Sequence, residues 1–352
     1  MAGHESRRRG YEKKVVATDF NGKGSEGANQ YGGNNKAGWL GLLPNSWLPF
    51  VQLARLSPPA GLFLIYFPHL FGLLHAASLR SSPPVEVFQM GSVLLLGSFF
   101  VSNAIHIWND LIDAPLDAQV ERTCQRPIPR GAVSSFAAVL FTATQAIGAA
   151  IVLHFLPSNW LQKVAYALPS VIAWTYYPWA KLHTNFPQIV LGICLGWGIF
   201  IASLAVGMHA LGLGDGEQSA STRMSYSTLC LFAACVLWTM IFDTVYGFQD
   251  LEDDVKAGIG SMAVRYRDDG KRVLWVLLIL MTALLTACGT LGGLGMLYFI
   301  VAVGGTIGSL GTMVAQVDLK SSGSCWWWFS NGFWYTGGFI ASGLLLEYIN
   351  RD

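Results

Sequence analysis

The chain has 352 residues, 53% of them hydrophobic and only 12% charged, about half the charged share of a soluble domain. That excludes an ordinary water-soluble globule, and a net charge of +1 says nothing about partners. The six cysteines are scattered, with no CxxC pair and no Cys/His ligand spacing, so neither a disulfide framework nor a zinc site is indicated.

In chain order, residues 1–45 are polar and rich in Gly and Asn, and are predicted to form a disordered cytosolic tail. The run Arg7–Arg9 reads as part of that solvated tail, because Glu5, Glu12 and Asp19 spoil the acid-poor pattern of a mitochondrial transit peptide. Residues 46–352 read as one transmembrane domain. Apolar windows recur at 86–108, 134–156, 186–209, 226–242, 273–292, 293–316 and 326–347, each near the roughly 20 residues that span a bilayer as a helix. Two more, at 58–79 and 160–180, are interrupted by Pro58, Pro59, Pro68, Pro169 and Pro178, which membrane helices tolerate when neighbours satisfy the freed carbonyls. The expected architecture is therefore all-α and polytopic, with about nine transmembrane helices. Small-residue spacings, at Gly192, Gly196 and Gly198 and again at Gly304, Gly305, Gly308 and Gly311, suit close helix contact. With nine spans, 18 of the 22 Lys and Arg fall on the side of the N-terminus. The positive-inside rule then makes that side cytosolic.

Two stretches break the apolar pattern. At the end of the 86–108 window come Asn109, Asp110, Asp113 and Asp117, followed by Arg122, Arg126 and Arg130. After the 226–242 window come Asp243, Asp250, Glu252, Asp253 and Asp254, followed by Lys256, Arg265, Arg267, Lys271 and Arg272. Both stretches fall on the predicted cytosolic side. Asn109, Asp113 and Asp117 are spaced i, i+4, i+8, and Asp250 and Asp254 are spaced i, i+4, so each set shares one helix face. Pro115 is expected to kink or end the first helix. Stacked carboxylates repel by a few tenths of a kcal/mol per exposed pair, and an Asp at the centre of a membrane helix costs about 2.5–3.5 kcal/mol. Such groups belong at a rim or in a polar cavity, holding a cation. A hard divalent ion suits oxygen donors, and Mg²⁺ takes one or two carboxylates together with substrate phosphates. Two such clusters with bases beside them make a diphosphate clamp, and the surrounding apolar helices imply a substrate with a greasy tail.

At these residues the sequence resembles a known family. "NDLIDAPLD" fits NDxxDxxxD and "DLEDD" fits DxxxD; "ARLSPPAGLFLIYFP", "ERTCQRPIPRGAVS" and "YYPWAKLHTNFPQIVLGICLGWG" add matches across residues 50–350. The chain is similar to the UbiA superfamily of intramembrane aromatic prenyltransferases, and within it to the fungal meroterpenoid branch. The resemblance implies helices around a central cavity open to lipid, and transfer of a polyprenyl group, farnesyl or geranylgeranyl, from its diphosphate to an electron-rich aromatic carbon. It implies that Asn109, Asp113, Asp117, Asp250 and Asp254 coordinate Mg²⁺ and diphosphate, with Asp110 and Asp253 beside them. Arg126, Lys181 and Lys256 are the basic candidates for the diphosphate, Lys181, Asp110 and Asp253 the candidates for catalysis, and Arg55 a weaker one. Trp108, Tyr176, Tyr177 and Tyr246 could shelter an allylic cation.

Partners implied are a polyprenyl diphosphate, an aromatic or α-pyrone polyketide acceptor and the lipid bilayer, without nucleic acid. The implied location is the endoplasmic reticulum membrane, ahead of the mitochondrial inner membrane. Two departures bear on the acceptor. Leu182 follows Lys181 where ubiquinone-type members have Arg, and Pro58 stands where they have Lys, which argues for an acceptor without a free carboxylate. Rival readings are a 4-hydroxybenzoate polyprenyltransferase, a UbiA-type terpene cyclase and, from another class, a membrane transporter. The transporter would want ionisable groups near the bilayer midplane rather than at cytosolic helix ends.

Overall fold

The computed structural model describes residues 31–33, 38–120, 123–212 and 225–351. Most of the expected tail, with Arg7–Arg9, lies outside these residues, as does Arg122 of the first basic run. Among the described residues the structure is helical, without a strand. A short 3-10 turn, Gly38–Leu42, precedes α1 (Leu48–Leu53). Seven helices are long and apolar enough to cross a membrane: α2 (Ala60–Arg80), α3 (Pro84–Asp117), α4 (Ser135–His154), α6 (Pro187–Ala205), α7 (Tyr226–Ala257), α9 (Gly270–Gly292) and α10 (Met296–Gln316). Two more, α5 (Trp160–His183) and α11 (Ser322–Asn350), are 24 and 29 residues long. Their prolines, polar groups and small residues keep them below that apolarity, so length and composition support seven of the nine expected spans. A one-turn helix, α8 (Met262–Arg265), sits in the loop before α9.

Local chemistry sets the ends of these helices. Ser134, Asn159, Ser225 and Ser321 each accept a hydrogen bond from a first-turn backbone N–H of α4, α5, α7 and α11, satisfying donors a helix otherwise leaves bare. Pro83 and Pro84 open α3, where a missing N–H costs nothing. Pro115 does not end α3, which continues to Asp117. That keeps Asn109, Asp113 and Asp117 on one face.

The helices close into a ring, with α2 packed on α3, α3 on α4, then α5, α6, α7, α9 and α10 in turn, and α11 returning to α2. The α2 helix also packs on α6 and α7. Its buried Phe67 and Phe71 meet Trp238 of α7 and Phe333 of α11, with Phe67–Trp238 at 6.1 Å and Phe71–Trp238 at 5.8 Å between ring centroids. This aromatic knot fills the ring below the end that carries the acidic stretches and leaves the space above it open. Close approach relies on small residues. A side chain at Gly192 of α6 would meet the Val236 carbonyl of α7 at 2.9 Å, whereas Gly308 faces open space. Gly196, Gly198 and Gly305 are likewise pressed against Phe232, His69 and Phe339 of neighbouring helices, so the expected helix contact holds in both sets but not at Gly308.

Candidate active site

The open space is a cavity of about 270 Å³ between α2, α3, α5, α6, α7 and α11. Its upper wall carries both acidic sets: Asn109, Asp113 and Asp117 from α3 face Asp250 and Asp254 from α7. The two sets, more than a hundred residues apart in sequence, thus share one chamber. Arg126 and Lys181 line it with them, and so does Arg55, which sequence reasoning ranked low because it lies outside both motifs.

The charges are arranged as a network. Lys181 Nζ lies 2.6 Å from Asp113 Oδ2, and Asn109 Nδ2 donates to the same oxygen at 2.9 Å. Arg126 Nη1 donates to Asp117 Oδ2 at 2.8 Å and to Asp110 Oδ1 at 3.2 Å. Arg55 Nη2 donates to that Asp110 oxygen at 2.7 Å. Burial alone would lower the Arg55 pKa, but the adjacent Asp110 carboxylate reverses this and holds it above the ordinary arginine value. Arg55 therefore stays charged.

Three expected roles change. Asp110 is fully buried and does not reach the cavity; it lies behind the wall and aims Arg55 and Arg126. Asp253 and Lys256 form an exposed i, i+3 pair, 3.5 Å apart, and neither lines the cavity. The cause is helical register: with Asp250 and Asp254 turned inwards, residues 253 and 256 lie on another side of the helix. Their expected parts in catalysis and diphosphate binding do not fit this geometry. Leu182 is half exposed and His183 stacks on Tyr176 at 5.9 Å; neither faces the cavity. An argument about the acceptor from position 182 therefore lacks a geometric basis.

The aromatic candidates divide. Tyr177 and Tyr246 line the cavity, Tyr176 does not, and Trp108 lines a second chamber. Trp174, Trp326 and Phe329 also line the first cavity and were missed. Tyr246 lies 4.4 Å from Phe329, ring to ring, and Phe242 6.0 Å from it, so α7 and α11 together present an aromatic wall below the acids. Trp326 and Phe329 sit in the run "CWWWF", which reads only as a membrane span. Asp243, from the second acidic stretch, lines the cavity about 10 Å deeper than Asp250 by helical rise. Gln188 lines it too, its Oε1 fixed by the Met262 N–H at 3.1 Å. The second chamber, about 440 Å³, is walled almost entirely by apolar residues of α2 to α6 and shares Ile105 and Trp174 with the first.

No three His, Cys, Asp or Glu side chains among the described residues are grouped as a ready-made metal cage. The donor set nevertheless fits Mg²⁺ held jointly with a diphosphate. Five carboxylates (Asp113, Asp117, Asp243, Asp250 and Asp254) and three fixed cations line the cavity, so a polyanion would be repelled unless divalent ions came with it. Arg55 Nε, Arg126 Nε and Asp110 Oδ2 are buried without hydrogen-bond partners, a costly state unless a ligand changes the pairing.

The UbiA prenyltransferase family model matches residues 60–337. The chain belongs to the UbiA prenyltransferase family. It is an integral membrane enzyme and a prenyltransferase. The mitochondrial 4-hydroxybenzoate polyprenyltransferase of Schizosaccharomyces pombe is 32% identical to it over 90% of this chain and 85% of that protein. The DMOA farnesyltransferase nvfB of Aspergillus novofumigatus is 35% identical over 76% of this chain and 81% of that protein. A UbiA homologue from Archaeoglobus fulgidus, solved bound to DMAPP and Mg²⁺, has the same fold. Its TM-score is 0.57 at 15% identity, over 85% of this chain and 99% of that one.

Proposed function

We propose that this UbiA enzyme transfers a farnesyl or geranylgeranyl group from its diphosphate to a carbon of an aromatic or hydroxy-α-pyrone polyketide, a step of meroterpenoid biosynthesis. The observation that carries the reading is the single cavity: acids from α3 and α7 and three cations at one end, aromatic rings below, and an apolar chamber joined to it. The Archaeoglobus homologue solved with DMAPP and Mg²⁺ supports a diphosphate at the acidic end.

On this reading Asn109, Asp113, Asp117, Asp250 and Asp254 hold Mg²⁺, which when bound offsets the negative charge of the leaving diphosphate. Arg55, Arg126 and Lys181 bind the phosphate oxygens, and their attraction grows as the allylic C–O bond breaks and its electron pair moves to the diphosphate. Tyr177, Tyr246 and Phe329 turn ring faces and edges to the allylic carbon, excluding water and stabilising positive charge. The acceptor carbon forms the new C–C bond, and the proton it gives up passes to Asp243, the carboxylate deepest in the wall. Asp110 acts through Arg55 and Arg126.

The acceptor follows from where the cations are. Every Lys or Arg on the described cavity wall belongs to the acidic end; the deeper wall has Asp243 among Leu64, Ile65, Leu191, Leu195, Phe242 and Trp174. An acceptor carboxylate there would be an unpaired buried charge, costing several kcal/mol. A phenol or the enol of a hydroxy-pyrone activates its neighbouring carbon without that cost. The 32% identity to a 4-hydroxybenzoate enzyme favours the second reading, a benzoic acid acceptor. Microsomes of an expressing host, given prenyl diphosphates with competing hydroxy-pyrone and 4-hydroxybenzoate, decide between them by mass spectrometry of products. The first reading expects the pyrone to be prenylated well and the acid poorly; the reverse preference overturns it. Endoplasmic reticulum placement with the acidic loops in the cytosol completes the proposal.

A further inference from the structure

The N-terminal segment reaches the active site. Tyr31 lines the cavity beside Arg55 and Arg126. Its hydroxyl donates to the Pro58 carbonyl at 3.0 Å, and the Arg55 guanidinium carbon lies 5.4 Å from its ring centroid. The next two residues fasten it. Gln52 Nε2 donates to the Gly32 and Gly33 carbonyls at 3.2 and 3.0 Å, and the Gly33 N–H donates to the Gln125 carbonyl at 3.0 Å. Arg130 donates to the Gly33 carbonyl and, at 2.9 Å, to Gln52 Oε1. A Cβ on Gly32 would lie 2.6 Å from the Gln125 carbonyl oxygen, backbone that has nowhere to go. Three residues expected to belong to a disordered tail are thus clamped between the segment carrying Arg55 and the turn carrying Arg126.

The backbone at this place is left-handed on both sides of the contact. The non-glycine residues with left-handed backbone among the described residues are Tyr31, Arg55 and Ser81, at φ 55°, 51° and 51°. Ser81 ends a helix, a usual place for that conformation. Arg55 follows the end of α1 in the same way, its N–H and that of Leu56 donating to the Gln52 and Val51 carbonyls at 3.0 and 3.2 Å, and Tyr31 faces it at the cavity. The left-handed backbone of Tyr31 is held by its surroundings, the clamp on Gly32 and Gly33. Burial pushes the Tyr31 phenol up to about 12, so it remains a neutral donor and its ring keeps its face to a permanently charged guanidinium.

We propose that Tyr31 is a positioning residue of the diphosphate site: its ring holds the Arg55 guanidinium at the cavity mouth and shuts that mouth to water while the allylic cation exists. The inference rests on the prenyl-transfer reading above. It has a chemical signature. If water enters, its oxygen bonds to the allylic carbon once the diphosphate has left with its electron pair, a proton goes to solvent, and free prenyl alcohol appears instead of prenylated acceptor.

The test uses the full chain in microsomes with farnesyl diphosphate and a hydroxy-pyrone, measuring prenylated product and farnesol together. Tyr31→Leu should raise KM for the diphosphate about tenfold, in keeping with loss of a cation–π contact, and raise the farnesol share. Tyr31→Phe, which keeps the ring and loses only the bond to Pro58, should stay near wild type on both measures. Gly32→Val, which dislodges the segment without touching the ring, should behave like Tyr31→Leu. Unchanged KM and farnesol share in Tyr31→Leu would overturn the inference, as would Tyr31→Phe failing equally. A wild type that forms neither product nor farnesol from any prenyl diphosphate overturns the prenyl-transfer reading and this inference with it.

Discussion

At the scale of single residues, the site separates groups that touch substrate from groups that hold other groups. On the proposed function Asp113 and Asp250, both on the cavity wall, belong to the first kind. Alanine at either should lower turnover at least a hundredfold, the usual size of a lost electrostatic contact to a developing charge, while the protein still reaches the membrane. Excess chelator should do the same to wild type, reversibly on adding Mg²⁺; full activity in chelator would refute the diphosphate clamp. Asp110 belongs to the second kind. Asp110→Ala strands the Arg55 guanidinium and leaves Arg126 to Asp117 alone, and breaking a buried pair costs about 3–5 kcal/mol, so its melting temperature in detergent should fall steeply. Asp253→Ala and Lys256→Ala should leave activity and melting unchanged, because an exposed pair is worth about 0–1 kcal/mol. How far these roles could be read from sequence depended on geometry. That Asn109, Asp113, Asp117, Asp250 and Asp254 share one wall was legible because i, i+4 spacing is itself geometric. That Asp110 and Asp253 lie off the cavity wall was not legible, because adjacency in a motif does not say which side of a helix a residue takes. Arg55, Tyr31 and Phe329 carry no local signal, and tertiary packing alone brings them to the cavity.

At the scale of elements, apolar windows were enough to find the helices, while the Ser and Asn caps at their starts emerged only from the structure. Pro115 was the weak point. A proline normally breaks a helix interior by removing a hydrogen bond and clashing with the preceding turn, yet α3 runs through it to Asp117. The ion pairs of Asp113 and Asp117 with Lys181 and Arg126 hold that last turn from outside. The contact of α6 with α7 is a separate dependency, since α7 brings Asp243, Asp250 and Asp254. Gly192→Val should wedge these helices apart at a cost of about 1–3 kcal/mol, as overpacking does. It should lower kcat although residue 192 is not on the cavity wall. A Gly192→Val enzyme with normal melting and normal kcat would show that the contact has slack.

At the scale of the whole molecule, the ring of helices puts the 118–134 and 258–269 connections at the same end of the bundle. They must therefore lie on one side of the bilayer. With Cys124 replaced by Ser, cysteines placed at Ala132 and Asp268, both exposed, should be labelled by an impermeant maleimide from the cytosolic side of sealed microsomes. A cysteine at Val85, exposed at the start of α3, should be labelled only after permeabilisation. Opposite labelling of positions 132 and 268 would contradict both the topology and the shared site.

The ion pairs lining the cavity have a consequence for selectivity. Lys181 rests on Asp113 and Arg126 on Asp117, so without substrate these two acids of α3 are already answered by bases. A lone anion such as inorganic phosphate can take the bases only by abandoning the acids, and a lone Mg²⁺ can take the acids only by abandoning the bases. A magnesium diphosphate offers a replacement for both partners in one exchange. The cavity thus behaves as a two-key lock. Each key should raise the affinity for the other by the same factor, as thermodynamic reciprocity demands, and neither alone should turn it.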